Sequence, residues 1–201
     1  MSKWERSQLY ESTYDGTSWH IPYSEDYWLE FMDIDEVDAP ALEVGCGATG
    51  IWRYNLNVLG LDPIDFSNLG PNFVQGKAEE IVCPDKKFND VYCINALDHM
   101  EDPALAMSEL ARVCKNRLVV WNYVFPDPTI YGAFYAPHPH TFTKQQLIDL
   151  MPGNFRIEMS ADKEMTHEFL KYSPSFTSSL KLKVANALGV RCILLHLRRK
   201  Q

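Results

Sequence analysis

From residue 41 onward, short apolar runs alternate with longer mixed stretches. Runs rich in β-branched and aromatic residues and bounded by glycine, proline or polar residues are typical of strands. Seven runs of this kind predict strands at Ala41–Val44, Val58–Leu61, Asn72–Gln75, Asp90–Ile94, Arg117–Trp121, Phe155–Met159 and Arg191–Leu197. Strands that alternate with helical segments indicate an α/β fold, so we expect one doubly wound, mostly parallel sheet with helices on both faces.

Two helices are predicted most clearly between these strands. Residues 103–114 place apolar side chains at helical spacing, and Pro103 stands at the first turn, where proline is favoured. The second helix, over residues 143–151, begins with Thr143 as a capping residue and has Gln146 three positions later. A shorter helix is predicted over Asp26–Met32.

The first forty residues hold many aromatic side chains on a polar background, including Trp4, Tyr14, Trp19 and Trp28. We therefore divide the chain into an aromatic amino-terminal arm, 1–40, that packs on a domain formed by 41–201. Two interpretations of the arm stay open. It is either a lid, in which Tyr14 or Trp19 closes a pocket, or ordinary packing at the sheet edge.

Composition narrows the classes of function. The 201 residues are 46% hydrophobic and carry a formal net charge of −8, which suits one globular domain and argues against a nucleic-acid substrate. No run reaches the roughly 18 to 20 apolar residues that cross a bilayer, and the start lacks a secretion signal, so we expect a cytoplasmic protein without membrane insertion. Five cysteines are scattered singly, which predicts reduced thiols and no metal site.

A glycine-rich turn follows the first strand in Gly45-Cys46-Gly47-Ala48-Thr49-Gly50. Glycines let the chain turn tightly and let a ligand approach the backbone, and Asp62 ends the next strand, where a carboxylate can bind ribose hydroxyls. Glu43, just before the turn, would repel a pyrophosphate but suits a cationic group. The distance from Gly47 to Asp62 is 62 − 47 = 15 positions, shorter than the roughly 20 of dinucleotide folds.

Four stretches together resemble the class I S-adenosylmethionine-dependent methyltransferases, in the group called methyltransferase type 11. Leu42 to Gly47 resembles the family's first motif, and Gly60-Leu61-Asp62 resembles its ribose-binding acid. Gly76 to Tyr92 resembles the adenine-side loop with the fourth strand, and Asn95 to Pro103 resembles the segment that lines the cofactor's methionine end. The match is good over 41–121 and looser beyond. Lys77 departs from the pattern, because many relatives have an aspartate there.

The resemblance implies a Rossmann-like sheet whose last strand is antiparallel, with S-adenosylmethionine as cofactor and S-adenosylhomocysteine as product. It also implies a set of cofactor-binding residues on the four motifs: Glu43, Gly45, Cys46, Gly47, Asp62, Pro63, Ala78, Glu79, Asn95, Ala96 and Leu97.

The catalytic residues are less well marked. His99 is a weak candidate for a general base, with pocket lining as the alternative, and we expect Asp98 to cap the following helix. Substrate-side candidates, grouped by their place in loops or just beyond strands, are Tyr14, Trp19, Tyr123, His138 and His140. The spacing of His138 and His140 does not suit a chelating helix pair, so we expect no metal.

The sequence favours one function over two others. The leading hypothesis is in-line methyl transfer to a small-molecule, glycan-like or lipid-like acceptor, with no nucleic-acid partner. The alternative is a catalytically inactive S-adenosylmethionine-binding protein that acts as a sensor or partner. An NAD-dependent oxidoreductase fits Glu43 and the adenine-side loop poorly. The acceptor and the oligomeric state are left open.

Overall fold

The computed structural model describes residues 1–12, 23–127, 138–164, 186–187 and 189–200. Seven strands form one sheet in the order β3-β2-β1-β4-β5-β7-β6. Their bounds are β1 Ala41–Val44, β2 Val58–Asp62, β3 Phe73–Gln75, β4 Phe88–Ile94, β5 Cys114–Val124, β6 Phe155–Glu164 and β7 Arg191–Arg199. All seven predicted strands are therefore present. β5 begins earlier than expected, and β6 continues five residues further.

The direction of the strands follows the expected pattern. β1, β2, β3, β4 and β5 pair in parallel, and β7 runs antiparallel to both β5 and β6. The parallel strands therefore end at one common edge of the sheet, which is the edge where ligands bind in folds of this kind.

Four α-helices lie among the described residues: α1 Lys3–Glu11, α2 Glu25–Met32, α3 Pro103–Val113 and α4 Lys144–Asp149. α1 was not predicted, because its sequence is mostly polar and has no apolar periodicity. Three short 3₁₀ helices complete the elements, η1 Ile51–Arg53, η2 Ser67–Leu69 and η3 Leu97–His99. None of the described helices is long and apolar enough to cross a membrane.

The sheet is covered on both faces, as expected. On one face, Met107 and Leu110 of α3 and Leu147 of α4 pack against Val91 and Leu118 of the central strands. On the other face, Trp28 and Met32 of α2 join Trp52 of η1 against Tyr92 and Trp121. Because both faces of β1 are covered, all four of its side chains are buried.

The crossovers between the first strands are short. Only η1 and η2 lie in the connections β1–β2 and β2–β3, and the connection from Gly76 to Lys87 contains no helix. Arg112 of α3 holds this last loop by donating from its guanidinium to the carbonyl oxygens of Ile81 and Cys83 at 2.7 and 2.8 Å.

Candidate functional site

The glycine turn at the end of β1 lies against the segment that follows β4. Gly45 has φ +66°, and a Cβ at this position would overlap the Cβ of Ala96. Both Gly45 and Cys46 donate their N–H groups to the carbonyl oxygen of Leu61, at 2.8 and 3.3 Å. Gly47 also has a positive φ, +53°, but a Cβ there would meet nothing within 4 Å. Gly45 therefore allows close packing, whereas Gly47 borders open space.

Glu43 stabilises the glycine turn through a hydrogen-bonded contact with Trp52. Its carboxylate accepts the N–H of Trp52 at 3.1 Å, and the Trp52 indole in turn donates to the carbonyl oxygen of Gly47 at 3.1 Å. The side chain is 3% exposed, and burial, with the charge of Asp62 nearby, raises the pKa of Glu43 to about 8. In this geometry Glu43 is directed into the turn, so a contact between Glu43 and a cofactor stays a prediction.

Asp62 ends β2 beside the same turn. Its carboxylate accepts the N–H of Gly47 at 3.0 Å and that of Ile64 at 2.9 Å, and the residue is 7% exposed. Burial raises the pKa of Asp62, and the two N–H groups partly offset that effect. A carboxylate oxygen can accept two hydrogen bonds and each oxygen of Asp62 accepts one here, so both retain acceptor capacity for a ligand hydroxyl.

The loop after β3 is tied to the segment before α3. Glu79 accepts the N–H groups of Glu101 and Asp102 at 2.8 and 3.1 Å, and Ala78 beside it is buried. Lys77 forms an ion pair with Glu101 at 2.8 Å and lies 4.1 Å from the ring centre of Trp4 in α1. The Glu79 carboxylate therefore already binds the segment before α3 where the loop reaches the sheet edge.

Of the three residues that follow β4, Asn95 has a left-handed backbone and is half-buried, and the next two are buried. Asn95 has φ 51°, and its side-chain oxygen is buried with no hydrogen-bond partner among the described residues. Ala96 and Leu97 are buried at 6% and 0% exposure. A buried amide oxygen without a partner has lost its hydration, which favours a ligand donor at this position.

A cluster of Asp98, His99 and His138 lies immediately beyond these residues. His138 Nδ1 and Asp98 Oδ2 are 2.6 Å apart, and the rings of His99 and His138 have centres 4.2 Å apart. Asp98 is 3% exposed, and its second oxygen, Oδ1, has no hydrogen-bond partner among the described residues. Burial opposes ionisation of Asp98, but the hydrogen bond to His138 and the charges of the two histidines outweigh it and lower the pKa of Asp98.

The amino-terminal helix reaches this cluster. Ser7 of α1 is fully buried, and its Oγ lies 3.2 Å from His99 Nδ1. Burial lowers the pKa of His99, although the charge of Asp98 opposes the shift. His99 is therefore neutral near pH 7.

The expectation that Asp98 caps the next helix is wrong. Asp102 is the cap of α3, since its Oδ1 accepts the N–H groups of Ala104 and Leu105 at 3.0 Å each. Asp98 instead bonds His138, which is 40 positions away. No local pattern indicates a contact between residues so far apart in sequence, so sequence reasoning missed the pair.

The other substrate-side candidates are dispersed. Although it is two residues from His138, His140 is engaged elsewhere, with Nε2 3.2 Å from the carbonyl oxygen of Glu101. Tyr123 packs on Trp121 at 4.8 Å between ring centres, on the face that α2 covers. Tyr14 and Trp19 lie outside the described residues. Pro63 follows Asp62 and accepts a hydrogen bond from Gln75 at 2.9 Å.

The central part of the chain is similar to a known protein family. Residues 42–120 match the model of a family described as a methyltransferase domain. This range contains the glycine turn, Asp62, Glu79 and residues 95–99. A search of curated proteins found no match to the chain.

Solved structures share the fold at low identity. Geranyl diphosphate C-methyltransferase from Streptomyces coelicolor A3(2), in complex with Mg²⁺, geranyl diphosphate and S-adenosyl-L-homocysteine, is 12% identical. The match covers 88% of this chain and 79% of that one, with a TM-score of 0.70. A SAM-dependent methyltransferase from Thermotoga maritima is 16% identical over 89% and 90% of the two chains, with a TM-score of 0.62. The [4+2]-cyclase SpnF is 18% identical over 87% and 79%, with a TM-score of 0.63. At these identities the likeness establishes the fold.

Proposed function

We propose that this chain, whose residues 42–120 match the model of a methyltransferase domain, is a class I S-adenosylmethionine-dependent methyltransferase that methylates a small-molecule acceptor bound at the carboxyl edge of the sheet. The observation that carries the proposal is the meeting of two segments there. The glycine turn after β1 packs on Ala96 after β4, and Asp98, His99 and His138 lie directly beyond.

The residues at this edge fit the cofactor. A Cβ at Gly47 would enter open space, so the backbone there is accessible to a ligand, and Asp62 beside it has acceptor capacity for ribose hydroxyls. The buried oxygen of Asn95 lacks a partner among the described residues and offers an acceptor to a ligand N–H group or ammonium. Residues of the loop after β3, with Ala78 buried, would cover the adenine side.

When bound, the cofactor supplies a methyl group on a sulfonium, which is already an activated leaving group. The task of the chain is then to hold the acceptor atom in line with that methyl and to exclude water. The edge suits this task because Asn95, Ala96 and Leu97 are at most half exposed and α1 covers η3 through Ser7. A neutral His99 near pH 7 is in the protonation state that can take a proton from a hydroxyl or ammonium acceptor.

A small acceptor is favoured over a polyanion by charge. The chain has a net charge of −8, and a nucleic acid needs a basic surface. Glycan-like and lipid-like metabolites remain within the proposed class. The aromatic arm, 1–40, is proposed to cover the site with its first helix, since Trp4 and Ser7 of α1 already contact Lys77 and His99.

Binding of S-adenosylhomocysteine tests the cofactor site. The Asp62→Ala variant should bind it more weakly by about 1 to 3 kcal/mol in calorimetry, because hydrogen bonds to a charged group are lost. Asp65→Ala is the matched control, because Asp65 is exposed and accepts the N–H of Ser67 within its own turn. Equal affinities of the two variants would mean that the ribose is held elsewhere.

Turnover separates the enzyme from an inactive binding protein. Purified chain incubated with S-adenosylmethionine and a metabolite panel should release S-adenosylhomocysteine with at least one acceptor. A protein that binds the product cofactor tightly but gives no release with any acceptor, including phenols, amines, sugars and acyl chains, would support the binding-protein alternative.

A further inference from the structure

The cluster beyond β4 has the composition of a metal site. Asp98, His99 and His138 each offer one ligand atom, and these atoms all lie within 4.8 Å of one another. Two imidazoles and one carboxylate are a donor set that binds divalent transition cations and leaves coordination positions open. The sequence indicated no such site, because the two histidines that are close in the chain, His138 and His140, do not form it.

The buried carboxylate of Asp98 also favours a bound cation. Asp98 is 97% buried, given its exposure of 3%, and its Oδ1 has no hydrogen-bond partner among the described residues. A buried carboxylate oxygen without a partner is costly, since the carboxylate has lost its hydration. Its other oxygen, Oδ2, lies 2.6 Å from His138 Nδ1. A bound cation would compensate the charge and take up the orphaned oxygen together.

The spacing allows an ion with small movements. Ligand atoms bound to one zinc ion at about 2.0 to 2.2 Å lie roughly 3 to 3.5 Å apart. His138 Nδ1 and Asp98 Oδ2, at 2.6 Å, now share a hydrogen bond and would separate by several tenths of an ångström as that proton leaves. Ser7 Oγ lies 3.2 Å from Nδ1 of His99, an arrangement typical of the outer partner that orients a ligating imidazole, so Nε2 would be the ligand atom.

We propose that Asp98, His99 and His138 form a binding site for a divalent transition-metal cation, which presents an oxygen of the methyl acceptor to the cofactor. The presentation of the acceptor oxygen by the ion rests on the proposed function. Since three protein ligands leave positions open, an acceptor hydroxyl can occupy one of them, and a bound cation lowers the pKa of such a hydroxyl. The hydroxyl proton would then pass to solvent, and the cation would take the place of His99 in promoting its release, because both ring nitrogens of His99 would be engaged.

Metal binding is tested first, without cofactor or acceptor. The chain with Cys83→Ser, which removes its partly exposed thiol, is stripped with a chelator and titrated with Co²⁺, Zn²⁺ and Mg²⁺ by calorimetry and absorption spectroscopy. We expect one Co²⁺ or Zn²⁺ per chain, with visible Co²⁺ bands and no thiolate charge-transfer band. Absence of stoichiometric Co²⁺ and Zn²⁺ binding, or a thiolate band, would overturn the site.

Three variants locate the ion. Asp98→Asn and His138→Gln should each weaken Co²⁺ affinity by about 100-fold or more, since a lost ligand costs at least what a lost outer partner does. His140→Ala is the control, because His140 bonds Glu101 outside the cluster. His138→Gln retains a donor for Asp98, which protects folding, and circular dichroism checks it. Equal Co²⁺ affinity in His138→Gln and the parent would overturn the proposal.

Two readouts keep this proposal separate from the function. S-adenosylhomocysteine should bind parent and His138→Gln within about threefold, because the cofactor residues are untouched. Loss of product-cofactor binding in the parent would remove the methyltransferase function but leave the metal titration intact. With an active acceptor, chelation should lower turnover at least tenfold and Co²⁺ or Zn²⁺ should restore it; turnover unaffected by chelation would overturn the role of the ion in presenting the acceptor.

Discussion

At the scale of single residues, two glycines in one turn have different tasks. Gly45 and Gly47 both have positive φ, but only Gly45 lies where a Cβ would overlap Ala96. A left-handed backbone costs a non-glycine residue about 1 to 2 kcal/mol, whereas a steric overlap with a packed neighbour adds a separate penalty. The first glycine therefore serves packing, whereas the second borders open space, where we propose that the cofactor approaches the turn.

Replacing each of the two glycines by alanine should separate the packing penalty from the backbone strain. Gly45→Ala should lower the free energy of unfolding by about 2 to 4 kcal/mol, because backbone strain and overlap add. Gly47→Ala should lower it by about 1 to 2 kcal/mol, because only strain acts there. The loss of affinity for S-adenosylhomocysteine in Gly47→Ala should be larger than its small loss of stability alone would cause. Urea unfolding and calorimetry measure both, and identical stabilities would contradict the assigned packing role.

Glu43 predicts a pH dependence of stability. Its pKa is about 8 in the folded chain and near the ordinary 4.5 when unfolded, so between these values the folded state keeps a proton that the unfolded state releases. The contribution of Glu43 is therefore full below pH 4.5 and is lost as the pH rises through 8. Glu43→Gln should remove this loss and gain on the parent by up to about 4 kcal/mol between pH 5 and 8. Parallel stability curves would show that Glu43 titrates normally.

At the scale of elements, residues close in sequence were predicted well. β1, the glycine turn and the position of Asp62 at the end of β2 follow from local apolar runs and turn residues. The capping box of α4, with Thr143 and Gln146, was also visible in sequence. What failed depends on tertiary contacts. α1 is stabilised by contacts of Trp4 and Ser7 rather than by its own pattern, and the Asp98–His138 pair joins two distant segments.

The loop from Gly76 to Lys87 depends on α3. Arg112 donates to two of its carbonyl oxygens, and Glu109 accepts the N–H of Ile81 at 3.0 Å. Arg112→Ala should cost about 1 to 3 kcal/mol of stability and speed amide exchange at Ile81, because charge-assisted hydrogen bonds are lost. Arg156→Ala, which removes an exposed ion pair with Glu158, should change stability by under about 1 kcal/mol. Unchanged exchange in Arg112→Ala would mean that the loop stands by itself.

At the scale of the whole molecule, the sheet is tied to the amino-terminal part by a buried ion pair as well as by apolar packing. Asp90 of β4 is fully buried, and it accepts hydrogen bonds from Arg117 of β5 and from the hydroxyl of Tyr92. The same carboxylate accepts the N–H of Asp38, at the end of the segment that leads from α2 into β1. The pair therefore ties the central strands to the amino-terminal part at the edge opposite the site.

The cofactor should stabilise the whole chain by mass action. S-adenosylhomocysteine at 100 times its Kd adds about 2.7 kcal/mol, which corresponds to a Tm increase of about 5 to 10 °C for a chain of this size. NAD at the same concentration should leave Tm unchanged, because the turn-to-acid spacing is shorter than in dinucleotide folds. Calorimetric scans check both, and a larger shift with NAD would contradict the assignment of the turn.

The opposite directions of β5 and β7 have a practical consequence for handling the protein. Arg198 near the end of β7 pairs with Arg117 at the start of β5, so the chain leaves the sheet at Lys200 on the edge away from the site. α1, by contrast, begins at Lys3 and places Ser7 against His99. A histidine tag added before Met1 would lie near Asp98, His99 and His138 and would compete for the metal proposed to bind there, whereas a tag after Gln201 would leave these residues undisturbed.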